Sequence, residues 1–366
     1  VAKDHLGLVA KPRRIGFTLG RFMRSPLHVA RKLLVVLPSW VGDAVMATPT
    51  LHALRGELPQ ARIHLMGRPG LQAVLEGLPL FDEFHVHDMR GWLGPFTGSG
   101  RFRTMRFDAV LLLPNSPRSA LFALATGAPL RLGWGRDGRS WLLSHALPAA
   151  RDGRPRSAVD SYADLAAWAM QRPVTDRAVR LSCSPEQAEA GRRLLEGLPR
   201  PVVLLNPGAN RPDKRWPAER FAALARELVV ATRGSVAVTG GPSEVELVQA
   251  VVTGAGEACV NLIDRGVSLG SLKGAIAAAD LLVTNDTGPR HLAAGLGTRC
   301  VSLFGPTDPR WTVLHEPVGP TREIQLLAEP FLPEGVVADR VARFCGMDRI
   351  AVADVVHACR ALLGQR

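Results

Sequence analysis

From residue 32 onward, short unbroken apolar runs alternate with helical stripes, and that alternation leaves few folds open. The runs Leu33–Leu37, Ile63–Met66, Ala109–Leu113, Val202–Leu205, Val236–Thr239, Leu281–Thr284 and Cys300–Phe304 show no regular alternation of polar residues. Such runs read as strands buried on both faces, the condition of a parallel sheet covered by helices. Between them, Val41, Val45, Thr48, Leu51, Leu54 and Leu58 share one helical stripe. Phe221, Leu224, Leu228 and Val229 share another. The repetition predicts an α/β chain of doubly wound domains with parallel sheets.

The pattern restarts near residue 200. The stretch 172–185 is polar and irregular, and Gly197-Leu198-Pro199-Arg200-Pro201 precedes a fresh strand. A length of 366 residues suits about two domains. The expected organisation is a basic extension over 1–31, a Rossmann-like domain over 32–184 and a second over 185–345. The two would face each other across a cleft. Residues 305–336 read as loop-rich, and a last helix, Val352–Leu363, lies in a segment 346–366 expected to pack back on the first domain.

The formal net charge of +12 admits nucleic acid, an anionic membrane or a phosphorylated substrate as partner. Aromatic residues make up 5% with a single Tyr, so base-stacking platforms are missing and nucleic acid is not expected. No apolar run approaches the ~18–20 residues that span a bilayer. Lys3, Lys11, Arg13 and Arg14 interrupt the N-terminus, unlike a secretory signal. The five cysteines are scattered, with no C-x-x-C pair, so neither a disulfide frame nor a zinc site is expected and a reducing cytoplasm fits. Residues 1–32 hold eight basic residues and one acid, Asp4. Two readings of the extension stand: a basic amphipathic segment on an anionic membrane surface, or an arm that is solvated or packed on the domain.

Four strand-end motifs could carry chemistry. Pro38-Ser39-Trp40-Val41-Gly42-Asp43 runs from a strand into a helix. Gly42 permits close backbone approach. Asp43 reads either as a helix-capping acid or as a ligand-facing base at the carboxyl edge of the sheet. There the helix N-terminus would favour its ionised form. Lys214, in Lys214-Arg215-Trp216-Pro217, is one of five lysines among 45 basic residues. It reads as a compact charge for phosphate or as part of a solvated loop. Glu244, after Thr239-Gly240-Gly241, could accept from a ribose diol or cap its helix. In Asn285-Asp286-Thr287-Gly288-Pro289-Arg290-His291, the N–H groups of Thr287 and Gly288 open a helix and make an anion site. His291 lies one turn in, where a structural role is common. Phe304-Gly305-Pro306-Thr307-Asp308-Pro309 ends a strand beside the same edge.

In this order, and over residues 32–310, these motifs resemble those of glycosyltransferase family 9, the ADP-heptose:lipopolysaccharide heptosyltransferases. The Pro-Ser-Trp-Val-Gly-Asp form is closest to the heptosyltransferase II branch. The resemblance implies a GT-B fold and inverting transfer of heptose from ADP-heptose to a lipopolysaccharide inner-core acceptor at the cytoplasmic membrane face. It implies Asp43 as general base, Lys214 at the donor phosphates, Asp286 at the transferred sugar, Thr287 and Gly288 at the diphosphate, and Glu244 at the ribose. His291 is grouped with these donor-binding residues. Arg118 and Arg136, in strand-end loops of the first half, are candidates for acceptor phosphates. No cofactor and no metal are expected. Two alternatives stand: a family 9 enzyme using another nucleotide sugar for another surface glycan, and a non-catalytic glycan- or nucleotide-binding protein on this fold. The chain departs from the family in its basic extension of about 30 residues. It also retains only Cys345-Gly346-Met347 of a cysteine-rich stretch before the last helix.

Overall fold

The computed structural model describes residues 25–91, 94–149, 155–315, 322–328 and 346–364. In the first half, β1 (Lys32–Val36), β2 (Arg62–Gly67), β3 (Glu83–Val86), β4 (Ala109–Leu112), β5 (Leu130–Gly135) and β6 (His145–Pro148) form one sheet. The helices of that half are α1 (Val41–Met46), α2 (Thr48–Glu57), α3 (Leu71–Leu75), α4 (Ser99–Thr104), α5 (Pro117–Ala125) and α6 (Ala158–Met170). The second half opens with α7 (Pro185–Leu194). It continues through β7 (Val202–Asn206), α8 (Ala218–Thr232), β8 (Ser235–Val238), α9 (Val245–Ala255), β9 (Val260–Asn261) and α10 (Leu269–Ala278). Then come β10 (Leu281–Asn285), α11 (Gly288–Leu296), β11 (Cys300–Phe304), β12 (Glu323–Leu327) and α12 (Val352–Leu363).

The first sheet has the order β3-β2-β1-β4-β5-β6 and the second β12-β11-β10-β7-β8-β9. Counted from its own first strand, the second repeats the first, and the strand pairings of both are parallel. This is the doubly wound Rossmann order, which places ligand-binding loops at the carboxyl ends of the strands. The predicted strands are the central ones: β4, β7, β10 and β11 are buried at every residue. The edges read differently. β12, with the sequence EIQLL and half-buried sides, lies within the segment expected to be loop-rich. The stripe from Val41 to Leu58 is carried by two helices, because Pro49 stands at the start of the second. Ala47 between them keeps helical dihedrals, so the buried face continues.

One expected packing is overturned. The last helix does not return to the first domain: α12 lies on α8 and on β10, β11 and β12. Val355, Ala358 and Cys359 complete the second core, where they meet Val301 and Leu303. The basic extension is described only from residue 25. There Leu27 is fully buried and the Ser25 hydroxyl donates to the Ala169 carbonyl at 2.8 Å, so this part packs on the domain. The rest of it, and Cys345, lie outside the described residues.

Several contacts tie the halves together among the described residues. His315 Nε2 meets Asp160 Oδ1 of α6 at 3.1 Å, and Leu181 N–H donates to Gly295 O at 2.7 Å. On the other side Lys273 of α10, fully buried, donates to Glu76 O at 2.7 Å just beyond the end of α3. Burial brings the Lys273 ammonium down to a pKa of about 8. One apolar cluster runs through both halves, from Leu33 and Val45 to Leu282 and Leu292.

Candidate active site

The cleft closes on the first turns of two helices. A Cβ added to Gly42 of α1 would lie 2.8 Å from His291 Nδ1 of α11, and one added to Gly288 would lie 3.3 Å from Val41. Only a glycine lets these helix starts approach so closely. The approach brings the first turn of α1, which carries Asp43, against the first turn of α11. In α11, Thr287 is the extended cap residue and Gly288 the first helical one. The first N–H groups of a helix have no intrahelical acceptor, and with the dipole they attract an anion.

Asp43 is mostly buried, and burial lifts its pKa above the usual aspartate value. The hydroxyl of Tyr162, the only tyrosine, donates to its Oδ1 at 3.4 Å and offsets part of that rise. The expectation that the helix start would favour the ionised form is therefore outweighed. Desolvation sets the direction, and the carboxylate becomes a better proton acceptor. Tyr162 carries no motif around it, and only the fold brings α6 against α1.

The opposite wall is a filled network. Asp286 Oδ2 accepts from Lys214 Nζ at 2.9 Å and from Thr307 Oγ1 at 3.2 Å. Its Oδ1 accepts from Thr312 Oγ1 at 3.3 Å and from Arg290 at 3.4 Å. A carboxylate offers about four acceptor sites, so all are in use. Burial opposes ionisation of Asp286, but Lys214 and Arg290 more than compensate and hold its pKa below the ordinary value. Arg290 is itself buried and forks onto Glu323 at 2.5 and 3.1 Å. Asn285 ties the preceding loop down. Its amide donates to Pro207 O at 2.8 Å and its carbonyl accepts from Trp216 N–H at 3.1 Å, which positions the Lys214 turn.

Glu244 caps its helix start. One carboxylate oxygen accepts from Gly241 N–H at 2.8 Å. The same carboxylate lies where a side chain on Gly208 would be, so it bridges the loops after β7 and β8. His291 takes the structural one of its roles. Its Nδ1–H donates to Thr287 O at 2.9 Å, and burial presses its pKa down to about 4, leaving it neutral. Its Nε2 is buried with no partner among the described residues.

Arg118 is exposed in the first turn of α5 and not, as expected, in a strand-end loop, whereas Arg136 is exposed in the loop after β5, over the Trp134 ring at 5.7 Å. The residue that organises these loops is Arg139, which sequence reasoning missed. It is buried and donates to Pro114 O at 2.6 Å, Trp134 O at 2.9 Å and Ser119 Oγ at 2.9 Å. Around Asp43 and Asp286 no group of three His, Cys, Asp or Glu side chains converges among the described residues.

A carboxylate with a raised pKa on one wall and a helix start on the other suit group transfer from a phosphorylated donor. Residues 100–341 match the profile of Glycosyltransferase family 9 (heptosyltransferase).

The chain belongs to glycosyltransferase family 9.

The family 9 chain is 30% identical over 305 residues to lipopolysaccharide heptosyltransferase 2 of Escherichia coli K12, covering 77% of this chain and 84% of that protein. Its fold matches the solved E. coli ADP-heptose lps heptosyltransferase II with a TM-score of 0.76 at 27% identity, over 91% of this chain and 98% of that one. A family 9 glycosyl transferase of Veillonella parvula matches with a TM-score of 0.77 at 24% identity, over 91% and 97%. The fold is GT-B, and the protein is a glycosyltransferase enzyme. Among its described residues, no helix is long and apolar enough to cross a membrane.

Proposed function

We propose that this enzyme transfers heptose from ADP-heptose, with inversion, to a phosphorylated lipopolysaccharide inner-core acceptor at the cytoplasmic face of the membrane. The observation that carries the reading is the approach of Gly42 to His291, which brings the helix turn bearing Asp43 against the start of α11. The similarity to lipopolysaccharide heptosyltransferase 2 supports the choice of sugar and acceptor class.

An acceptor hydroxyl attacks C1 of the sugar and its proton passes to Asp43. The C1–O bond to the diphosphate breaks, and ADP leaves with the bonding electrons. Attack from Asp43's side, with departure toward α11, inverts the anomeric centre. Base assistance of this kind is worth roughly 10²–10⁴-fold. Charge developing on ADP is offset by Lys214 and the N–H groups of Thr287 and Gly288. Lys214 is held by Asp286 at 2.9 Å. Arrival of the diphosphate draws the ammonium away and frees an acceptor site on Asp286 for a sugar hydroxyl. Glu244 receives the ribose, and Arg118 and Arg136 the acceptor's phosphates. The cationic groups suffice for the leaving group, so the reading needs no metal or cofactor.

The test is a panel of nucleotide sugars, with nucleotide release followed with and without lipid A-core acceptors. ADP-heptose alone should support acceptor-dependent release. Asp43→Ala should lose about 10²–10⁴-fold in turnover while binding ADP as before. Faster turnover with another nucleotide sugar would overturn the donor assignment, and wild-type turnover by Asp43→Ala would overturn the base.

A further inference from the structure

Three side chains far from the motifs discussed so far converge on the first sheet. Parallel register sets His64 of β2 beside Glu83 of β3, and Met66 beside His85. All three side chains therefore share one face. That face is otherwise built of Leu34, Val36 and Met66 under Phe102 and Phe107. The Phe107 ring meets His64 edge-on at 5.1 Å, and Phe102 meets His85 at 5.5 Å. Two imidazoles, each about 1–2% exposed, are costly in such surroundings unless their nitrogens find partners. They find few among the described residues: His64 Nδ1 and His85 Nε2 share one contact at 2.9 Å, and His64 Nε2 is buried with no partner there.

The distances suit an ion. His64 Nδ1, His85 Nε2 and Glu83 Oε2 form a triangle with edges of 2.9, 3.5 and 3.7 Å. A tetrahedral ion bound at ~2.0–2.1 Å needs edges of about 3.3–3.4 Å. The ring centroids are 5.2 Å apart. Two imidazoles on one tetrahedral zinc also stand about 5.2 Å apart, so the rings need only tilt in place. Burial pushes both histidines below their ordinary pKa, leaving them in the neutral form that binds metal. Glu83, with its side chain 55% exposed, supplies a negative charge and a path from solvent. Lys32, Asp82 and Arg101 also face the pair. Arg101 lies 3.4 Å from His85 Nδ1 and is exposed, so it can swing out when that nitrogen keeps its proton.

We propose that His64, Glu83 and His85 bind one divalent transition-metal ion of the zinc type, with water in the fourth position. Imidazole and carboxylate ligands favour zinc and its neighbours over magnesium or calcium. The site lies apart from Asp43 and Asp286, and its role is structural: it pins the edge strand β3 to β2 beneath α4.

The full chain, stripped with a chelator and dialysed against Zn²⁺ or Co²⁺, should retain one ion at this site and unfold at a higher temperature, while Mg²⁺ has no effect. His85→Ala should lose that ion. Glu83→Gln, a change at an exposed side chain that leaves the fold intact, should weaken binding by more than about tenfold. X-ray absorption of the Co²⁺ form should show only nitrogen and oxygen ligands. No retained ion, equal binding by wild type and Glu83→Gln, or a sulfur-containing shell would each reject the site. The last of these would place the metal on a cysteine.

Discussion

The two walls of the cleft are built from the same strand order but wired in opposite ways. On the C-terminal wall Asp286, Arg290 and Asn285 are all buried, and every acceptor site of Asp286 is used. On the N-terminal wall Asp43 has one long hydrogen bond, and Arg118 and Arg136 stand in solvent. A wall assembled before the ligand arrives suits a ligand that never changes, such as a nucleotide diphosphate. A wall of exposed long side chains suits an acceptor whose outer parts vary.

The sharpest way to break this contrast is to remove the buried arginine from each side. Arg290→Met strands Glu323 and weakens the hold on Asp286, and should cost about 3–5 kcal/mol. Arg139→Met strands only neutral acceptors, and should cost about 1–3 kcal/mol. Denaturant unfolding of both proteins measures the difference, and equal losses would erase the distinction between the walls. Next in size, Lys214→Ala should weaken ADP binding roughly ten- to hundredfold, as expected for a charged hydrogen bond. Calorimetry reads this directly. Tyr162→Phe should act on the other wall and only at low pH. Without its hydroxyl the Asp43 pKa rises further, so the acidic limb of kcat should move to higher pH. Activity should fall a few-fold on that limb and stay unchanged on the plateau. The smallest effects belong to Arg118→Ala and Arg136→Ala. Each should raise the KM for acceptor about two- to fivefold without changing kcat or ADP affinity, as for an exposed charge.

What could be read from the sequence follows the same division. Central strands such as β7 and β10 are unbroken apolar runs because both of their faces are covered. The edge strands β3 and β12 mix polar and apolar residues, since one side meets solvent, and no run betrays them. The motif residues Asp43, Lys214 and Asp286 were legible because each follows directly on a strand or its loop. Tyr162, Arg139 and Glu323 were not. Each acts across a sequence separation of tens of residues or more, through a contact that exists only once the strands and helices of its own half are assembled. The docking of α12 was misjudged for a related reason. Its apolar stripe says that one face is buried, but not against which neighbour.

Gly42 has a mechanical consequence. A methyl group there would stand 2.8 Å from the His291 ring, where carbon contacts settle near ~3.5–4 Å. An alanine would therefore act as a shim, wedging the halves apart by a fraction of an ångström to about 1 Å while altering no charge. A misplacement of about 1 Å can cost 10²-fold in rate. The spacing between the start of α1 and the start of α11 is thus gauged by the thickness of a hydrogen atom at one backbone position.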